Sequence, residues 1–152
     1  MDTVKNNGPI RAGDIEWPAT EKQVNVYRYG LFKGMKDGNG KVVKVRSVGT
    51  ASIREGLKTY ILELRALTGQ RYYLLPSDKK RDNGASHLIF TREEPRRPDR
   101  KYFWTIVGEA WALKDDNDGL MLLKWDLFGE EVYMDMKPYK VIPTSDPVFQ
   151  SA

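Results

Sequence analysis

The feature that most constrains this chain is its punctuation. From residue 24 to 136, short runs rich in Val, Ile, Leu, Tyr, Phe and Trp are broken repeatedly by Gly, Pro, Asn and Asp. Runs this short leave little room for helices of average length, whereas β-branched and aromatic residues suit a pleated, half-buried surface. Residues 24–33 read as a strand that stops before Asp37-Gly38-Asn39-Gly40, a strong hairpin signal. Residues 41–48 read as the returning arm, with Lys44 and Arg46 on the face of Val42 and Val48. Further strands are predicted over 60–67, 71–75, 86–92, 120–128 and 131–136, each bounded by a turn signal.

Two segments predict something different. Ser52 and Glu55 have capping-box spacing, so residues 50–58 are the one credible short helix, limited by Gly56. Residues 102–114 form the longest strand candidate, with Phe103, Val107, Trp111 and Leu113 opposite Trp104, Ile106 and Ala110. Apolar residues on both faces predict a central strand buried on both sides. About eight short strands in series predict an all-β fold, a small antiparallel barrel (OB-like) or a β-sandwich with at most one short helix. The organisation expected is a flexible N-terminal arm (1–23) with Ile15 and Trp17 docked, a β-rich domain (24–137) and a loosely held tail (138–152).

Function classes fall away quickly. The chain has no cysteine and a single histidine, His87, which excludes disulfides, zinc-thiolate sites, cysteine nucleophiles and any two-histidine metal site. No apolar run approaches the ~20 residues of a membrane span, and the N-terminus has no apolar secretory core, so a soluble cytoplasmic protein is expected. Gly34 to Lys41 has the wrong interval for a phosphate-binding loop, and a hairpin turn accounts for it. Asp115 to Gly119 is out of register for a calcium loop. Asp126 with Glu130 or Glu131 reads as solvated acids, and His87 as a strand histidine beside Ser86. No catalytic residue, metal site or cofactor is predicted, and the expectation is a protein that is not an enzyme.

Charge and rings point to a binding role. Residues 1–101 carry 21 Lys and Arg against 12 Asp and Glu, while residues 102–152 carry 4 against 9. The asymmetry fits a polyanionic partner, and equally two faces of one sheet that attract each other or another subunit. Arg28 stands between Tyr27 and Tyr29, Arg71 precedes Tyr72 and Tyr73, and Arg96, Arg97, Arg100 and Lys101 lead into Tyr102, Phe103 and Trp104. Cations neutralise phosphates while exposed rings stack on bases, the combination that holds single-stranded nucleic acid. The predicted contacts are Arg28, Lys44, Arg46, Arg71, Arg96, Arg97, Arg100 and Lys101 to phosphate, with Tyr73 and Tyr102 stacking. Tyr27, Tyr29 and Tyr72 are further stacking candidates, whereas Trp111 and Trp125 fit a core. The alternative is a protein-interaction module, an adaptor or inhibitor, using an apolar surface around Trp17, Phe128 and Met134 or a free sheet edge.

A family resemblance carries the same direction. Val107-Gly108-Glu109-Ala110-Trp111, Gly119, Leu122-Leu123-Lys124-Trp125-Asp126 and Val132-Tyr133 resemble the closing pattern of a bacterial domain family of unknown function, number 736. Arg65-Ala66-Leu67-Thr68 and the run to Pro76, with Lys79 and Lys80, are similar to that family as well. The likeness spans roughly residues 27–136. It departs at Leu127-Phe128-Gly129, at the insertion around Arg96 to Lys101 and in the longer N-terminal arm. The resemblance implies a β-rich protein carried on plasmids and conjugative elements, with partners in DNA transfer or plasmid maintenance. It transfers no catalytic residues.

Overall fold

Alternation along the chain becomes nine strands among the described residues, which in this computed structural model are 23–79, 81–93, 101–126, 129 and 131–144. They are β1 (Val24–Lys36), β2 (Val42–Arg54), β3 (Tyr60–Leu64), β4 (Arg71–Pro76), β5 (His87–Glu93), β6 (Phe103–Ala112), β7 (Leu120–Trp125), β8 (Val132–Asp135) and β9 (Lys140–Thr144). Each strand from β1 to β8 pairs antiparallel with the next. β1 then pairs with β8 through Leu31–Met134, Phe32–Tyr133 and Lys33–Val132, which closes an eight-stranded up-and-down barrel. The all-β barrel expected from the sequence is present. Its connectivity is a simple meander, and closure excludes the sandwich.

Three local expectations are corrected. Residues 50–54 are the end of β2 and not a helix, because Ser52 pairs with Arg28 on one side and Ile61 on the other. Glu55 closes no capping box; its Oε1 accepts a hydrogen bond from the Asn25 backbone N–H at 3.0 Å. β6 is shorter than β1 and β2, and its first half is not buried: Phe103, Trp104 and Ile106 are all exposed. Beyond Met136, where the sequence suggested no strand, β9 pairs with Val24–Arg28 of β1, so tertiary pairing supplies what local pattern does not.

The barrel interior is filled by side chains, as eight strands allow. Leu31, Leu62, Leu74, Ile89, Leu123 and Met134 are completely or almost completely buried there, with Tyr29, Tyr72 and Trp125. A second, smaller core lies on the outside. Phe32 and Tyr133 stack with centroids 5.8 Å apart and pack with Val42, Leu113, Leu120 and Leu122. The β1–β2 hairpin reaches this wall through two register shifts, which leave Val48 and Val45 of β2 as extra residues. Asn117, in the short 3-10 turn before β7, holds the tip by accepting from the Val42 N–H at 2.7 Å and donating to the Gly40 carbonyl at 3.0 Å.

Two glycines sit at register shifts where neighbouring backbones touch. A Cβ on Gly49 would meet the Glu63 carbonyl oxygen, and one on Gly108 would meet the Lys124 carbonyl oxygen, both backbone atoms that cannot swing aside. Gly108→Ala is therefore expected to lose about 2 kcal/mol or more of stability in urea unfolding, as overpacking does. Gly30→Ala, with nothing within 4 Å of its added carbon, should be neutral or gain up to about 1 kcal/mol. Equal effects at the two positions would refute the close-approach argument. Asn117→Ala, which removes both hairpin bonds, should cost about 1–2 kcal/mol by the same measurement.

Candidate nucleic-acid interface

Residues paired directly across antiparallel strands point to the same side of the sheet. On the outer wall, Ile61, Tyr73, Phe90 and Ile106 form one such row across β3 to β6. Beside it, Glu63 pairs with Arg71, and Arg92 pairs with Trp104. The row brings together rings and cations that are far apart in the sequence. The Arg92 guanidinium carbon lies 4.3 Å from the Tyr102 ring centroid, 5.1 Å from that of Tyr73 and 5.8 Å from that of Trp104. Trp104 meets Tyr73 edge-on at 5.1 Å and Phe90 edge-on at 6.3 Å.

The members differ in access. Tyr73 is only 3% exposed, so the expectation that it stacks directly is corrected: it supports Trp104 and Arg92 from beneath. Tyr102 and Trp104 are 45% and 47% exposed, with the Arg92 guanidinium lying over both rings. Lys101 is exposed next to Tyr102, and segment 94–100 joins β5 to this strand. Arg96, Arg97 and Arg100 lie in that segment, outside the described residues.

The other predicted contacts are dispersed. Arg71 shares the outer face of β4 with Tyr73 and pairs with Glu63 at 3.6 Å. Lys44 and Arg46 are exposed on the β1–β2 hairpin, Lys44 lying 5.6 Å from the Phe32 ring centroid. Arg28 is half-buried in β1 between Ser52 and Lys140. Tyr29 and Tyr72 are buried in the interior, and Tyr27 packs against that core; they present no stacking platform. Trp17 and Phe128 lie outside the described residues. Met134 is fully buried beside Leu31, so it cannot form the apolar interaction surface considered for it.

Phe90 and Arg92 of β5 were not singled out in the sequence, and the outward placement of Trp104 and Ile106 in β6 was hidden there for one physical reason. β5 and β6 shift register between Ile89–Gly108 and Phe90–Ile106, leaving Val107 as an extra residue. The bulge reverses the parity of β6, so Glu109 and Trp111 face outward on one side of it and Trp104 and Ile106 on the other. A strand with two apolar faces is the appearance this gives in sequence. The period-two spacing of Phe90 and Arg92 was the available signal.

The remaining polar groups are tied into structure. Glu109 accepts from Arg81 Nε at 2.8 Å and Asn83 Nδ2 at 3.0 Å, while Trp111 Nε1 donates to the Asn83 carbonyl at 3.0 Å. This fastens the β4–β5 loop to the outer wall. Glu131 accepts from the Tyr133 hydroxyl at 2.9 Å and pairs with Lys124 at 3.5 Å. Burial and this carboxylate push the Tyr133 phenol up to about 12. Among the described residues no group of three His, Asp or Glu side chains is placed to hold a metal ion. No helix among them is long and apolar enough to cross a membrane. Comparison with known proteins finds no matching family model, no matching curated protein and no matching solved structure.

His87 shares a 2.9 Å hydrogen bond between its Nδ1 and the Ser86 hydroxyl, and burial holds its imidazole below the ordinary 6.5. Below pH 6.5 the unfolded chain takes up a proton that the folded chain resists. The stabilising contribution is thus present above 6.5 and lost as pH falls through the folded value. His87→Gln should make the urea midpoint less sensitive to pH between 7.5 and 5 than in the wild type. Identical pH slopes would show that His87 is not held neutral by burial.

Proposed function

We propose that this chain is a non-enzymatic accessory protein that binds single-stranded DNA or RNA on the outer wall formed by β4, β5 and β6. The observation that carries this reading is the exposed pair Tyr102 and Trp104 gathered around Arg92. Large aromatic rings exposed side by side on a closed barrel leave apolar surface in water, which is unfavourable unless a partner covers it. A base covers a ring face, and the neighbouring guanidinium meets its phosphate. Single strands are preferred because a duplex hides its base faces in the stack, and a convex barrel wall does not enter a groove.

The basic excess of residues 1–101 supplies long-range attraction for such a strand, and Lys101 with Arg96, Arg97 and Arg100 extends the cationic run in sequence. The resemblance to family 736 supports a role in plasmid maintenance or conjugative transfer, and the reading takes that role to be cytoplasmic. A second reading, a protein-interaction module within a DNA-transfer apparatus, draws on Met35, Val43 and Val45, all exposed on the β1–β2 hairpin.

Fluorescence anisotropy with labelled single-stranded DNA, single-stranded RNA and duplex DNA at two salt concentrations separates the two. The proposed function predicts micromolar or tighter binding to single strands that weakens with salt. Trp104→Ala and Tyr102→Ala should each weaken it about 5- to 100-fold, the range for loss of one stacking ring. Arg92→Ala should weaken binding to every sequence and flatten the salt dependence. No single-strand binding at low salt would refute the proposal, and retention of a partner protein lost on Val43→Asp would favour the second reading.

A further inference from the structure

We infer that the mouth of the barrel holds a subsite for one unstacked nucleobase, and that it favours bases carrying an exocyclic amino group. The inference rests on the proposed single-strand binding and adds to it a place where sequence is read. A cavity of about 270 Å³ opens at the end of the barrel where β4 begins and β5 and β7 end. Its volume falls just below the roughly 300–1,000 Å³ of sites for drug-sized molecules, which suits a single planar heterocycle. Tyr72 and Trp125, only 8% and 4% exposed, line its buried side and meet edge-on at 5.5 Å. Val107, the extra residue of the β6 bulge, adds an apolar wall.

Polar groups line it as well. Thr91, Glu93 and Gln70 are at the cavity, and Phe103, the cross-strand partner of Glu93, is exposed on the same side of the sheet. The position of this cavity relative to the outer wall follows from strand geometry. Successive residues of a strand face opposite sides, so β5 sends Phe90 and Arg92 to the wall and Thr91 and Glu93 to the mouth. Arg92 borders both. A strand stacked on Tyr102 and Trp104 therefore runs along the rim of the cavity. Turning one base over that rim requires no base pair to be broken, which makes the step least costly in single-stranded nucleic acid.

The chemistry of the lining sets the preference. The Glu93 carboxylate only accepts hydrogen bonds, the Nε2 of Gln70 donates to the Arg71 carbonyl at 3.1 Å and leaves its amide oxygen as an acceptor, and the Arg92 guanidinium is the charged donor at the rim. Acceptors are complemented by the amino groups of cytosine, adenine and guanine. Thymine and uracil present a carbonyl where cytosine carries its amino group, and a carboxylate repels it.

The test compares a labelled twelve-residue oligothymidylate with the same oligomer carrying one central deoxycytidine, by anisotropy at low salt. The wild type should bind the substituted oligomer about fivefold more tightly or better, the lower end of discrimination by one base contact. Glu93→Ala should erase this ratio whatever it does to overall affinity, and Gln70→Ala should reduce it. Both residues are exposed, so neither change threatens the fold. Trp104→Ala, on the wall and outside the cavity lining, should weaken both oligomers alike and leave the ratio standing. Equal wild-type affinity for the two oligomers, or a ratio that survives Glu93→Ala, overturns the subsite while leaving wall binding intact. Failure to bind either oligomer overturns the proposed function itself, and the subsite with it.

Discussion

Everything in this molecule depends on closing the sheet, because β1 must satisfy partners on both of its edges. It pairs with β2 along most of its length and with β8 and β9 in succession on the other side. Closure removes the open edges that an eight-stranded meander would otherwise present, and every interior side chain then contributes to one core. A strongly curved sheet needs places where strands bend and backbones come close. Gly49 and Gly108 occupy two such places, each against the carbonyl of the strand beside it. In both, the register shifts at the same point, so the absence of a side chain and the change of strand direction are one event.

Filling the interior decides where function can reside. Tyr29 against Tyr60, and Tyr72 against Trp125, are edge-on pairs in the barrel, and Leu31, Leu62, Leu74 and Ile89 pack with them. These side chains pack together in the interior, and the barrel supports the surfaces around them. Two stretches of wall are then covered by the chain itself. The β1–β2 hairpin covers Tyr133 and Leu122, and the β4–β5 loop is tied down by Glu109. The wall of β4 to β6 keeps Tyr102, Trp104 and Ile106 exposed.

Much of the fold was legible because its signals are local. Asn39-Gly40 gives the hairpin, with Gly40 at φ +82°, and Asp115 to Gly119 gives the turn before β7, with Gly119 at φ +88°. Alternation in Tyr60 to Leu64 gives β3, and Leu62 and Leu64 are buried as that pattern requires. What failed was set by distant partners. Ser52 and Glu55 satisfy a capping rule locally, yet the pairings of Ser52 on both edges of β2 outweigh it. Pro143 and a pattern without period conceal β9, whose partner lies more than a hundred residues earlier. In the candidate site the residue types were legible and the arrangement was not. Tyr73 and Tyr102 were named, but no sequence rule shows that one is buried beneath Arg92 and the other exposed upon it.

The bulge at Val107 links these observations. Without it, unbroken alternation from Glu109 and Trp111 would turn Trp104 and Ile106 inward and Phe103 and Thr105 outward. The interior would then have to hold another indole beside Trp125, and the outer wall would lose the ring that meets Tyr73, Phe90 and Arg92. Inserting one residue lets the second half of β6 close the core with Gly108 and Ala110 while its first half carries Trp104 and Ile106 outward. The same residue lines the cavity at the mouth. Local disruption of a ladder weakens it, and a fold concerned only with stability gains nothing by turning an indole toward water. Core packing accounts for Gly108; for the exposed ring of Trp104 the cover would come from the single strand proposed above.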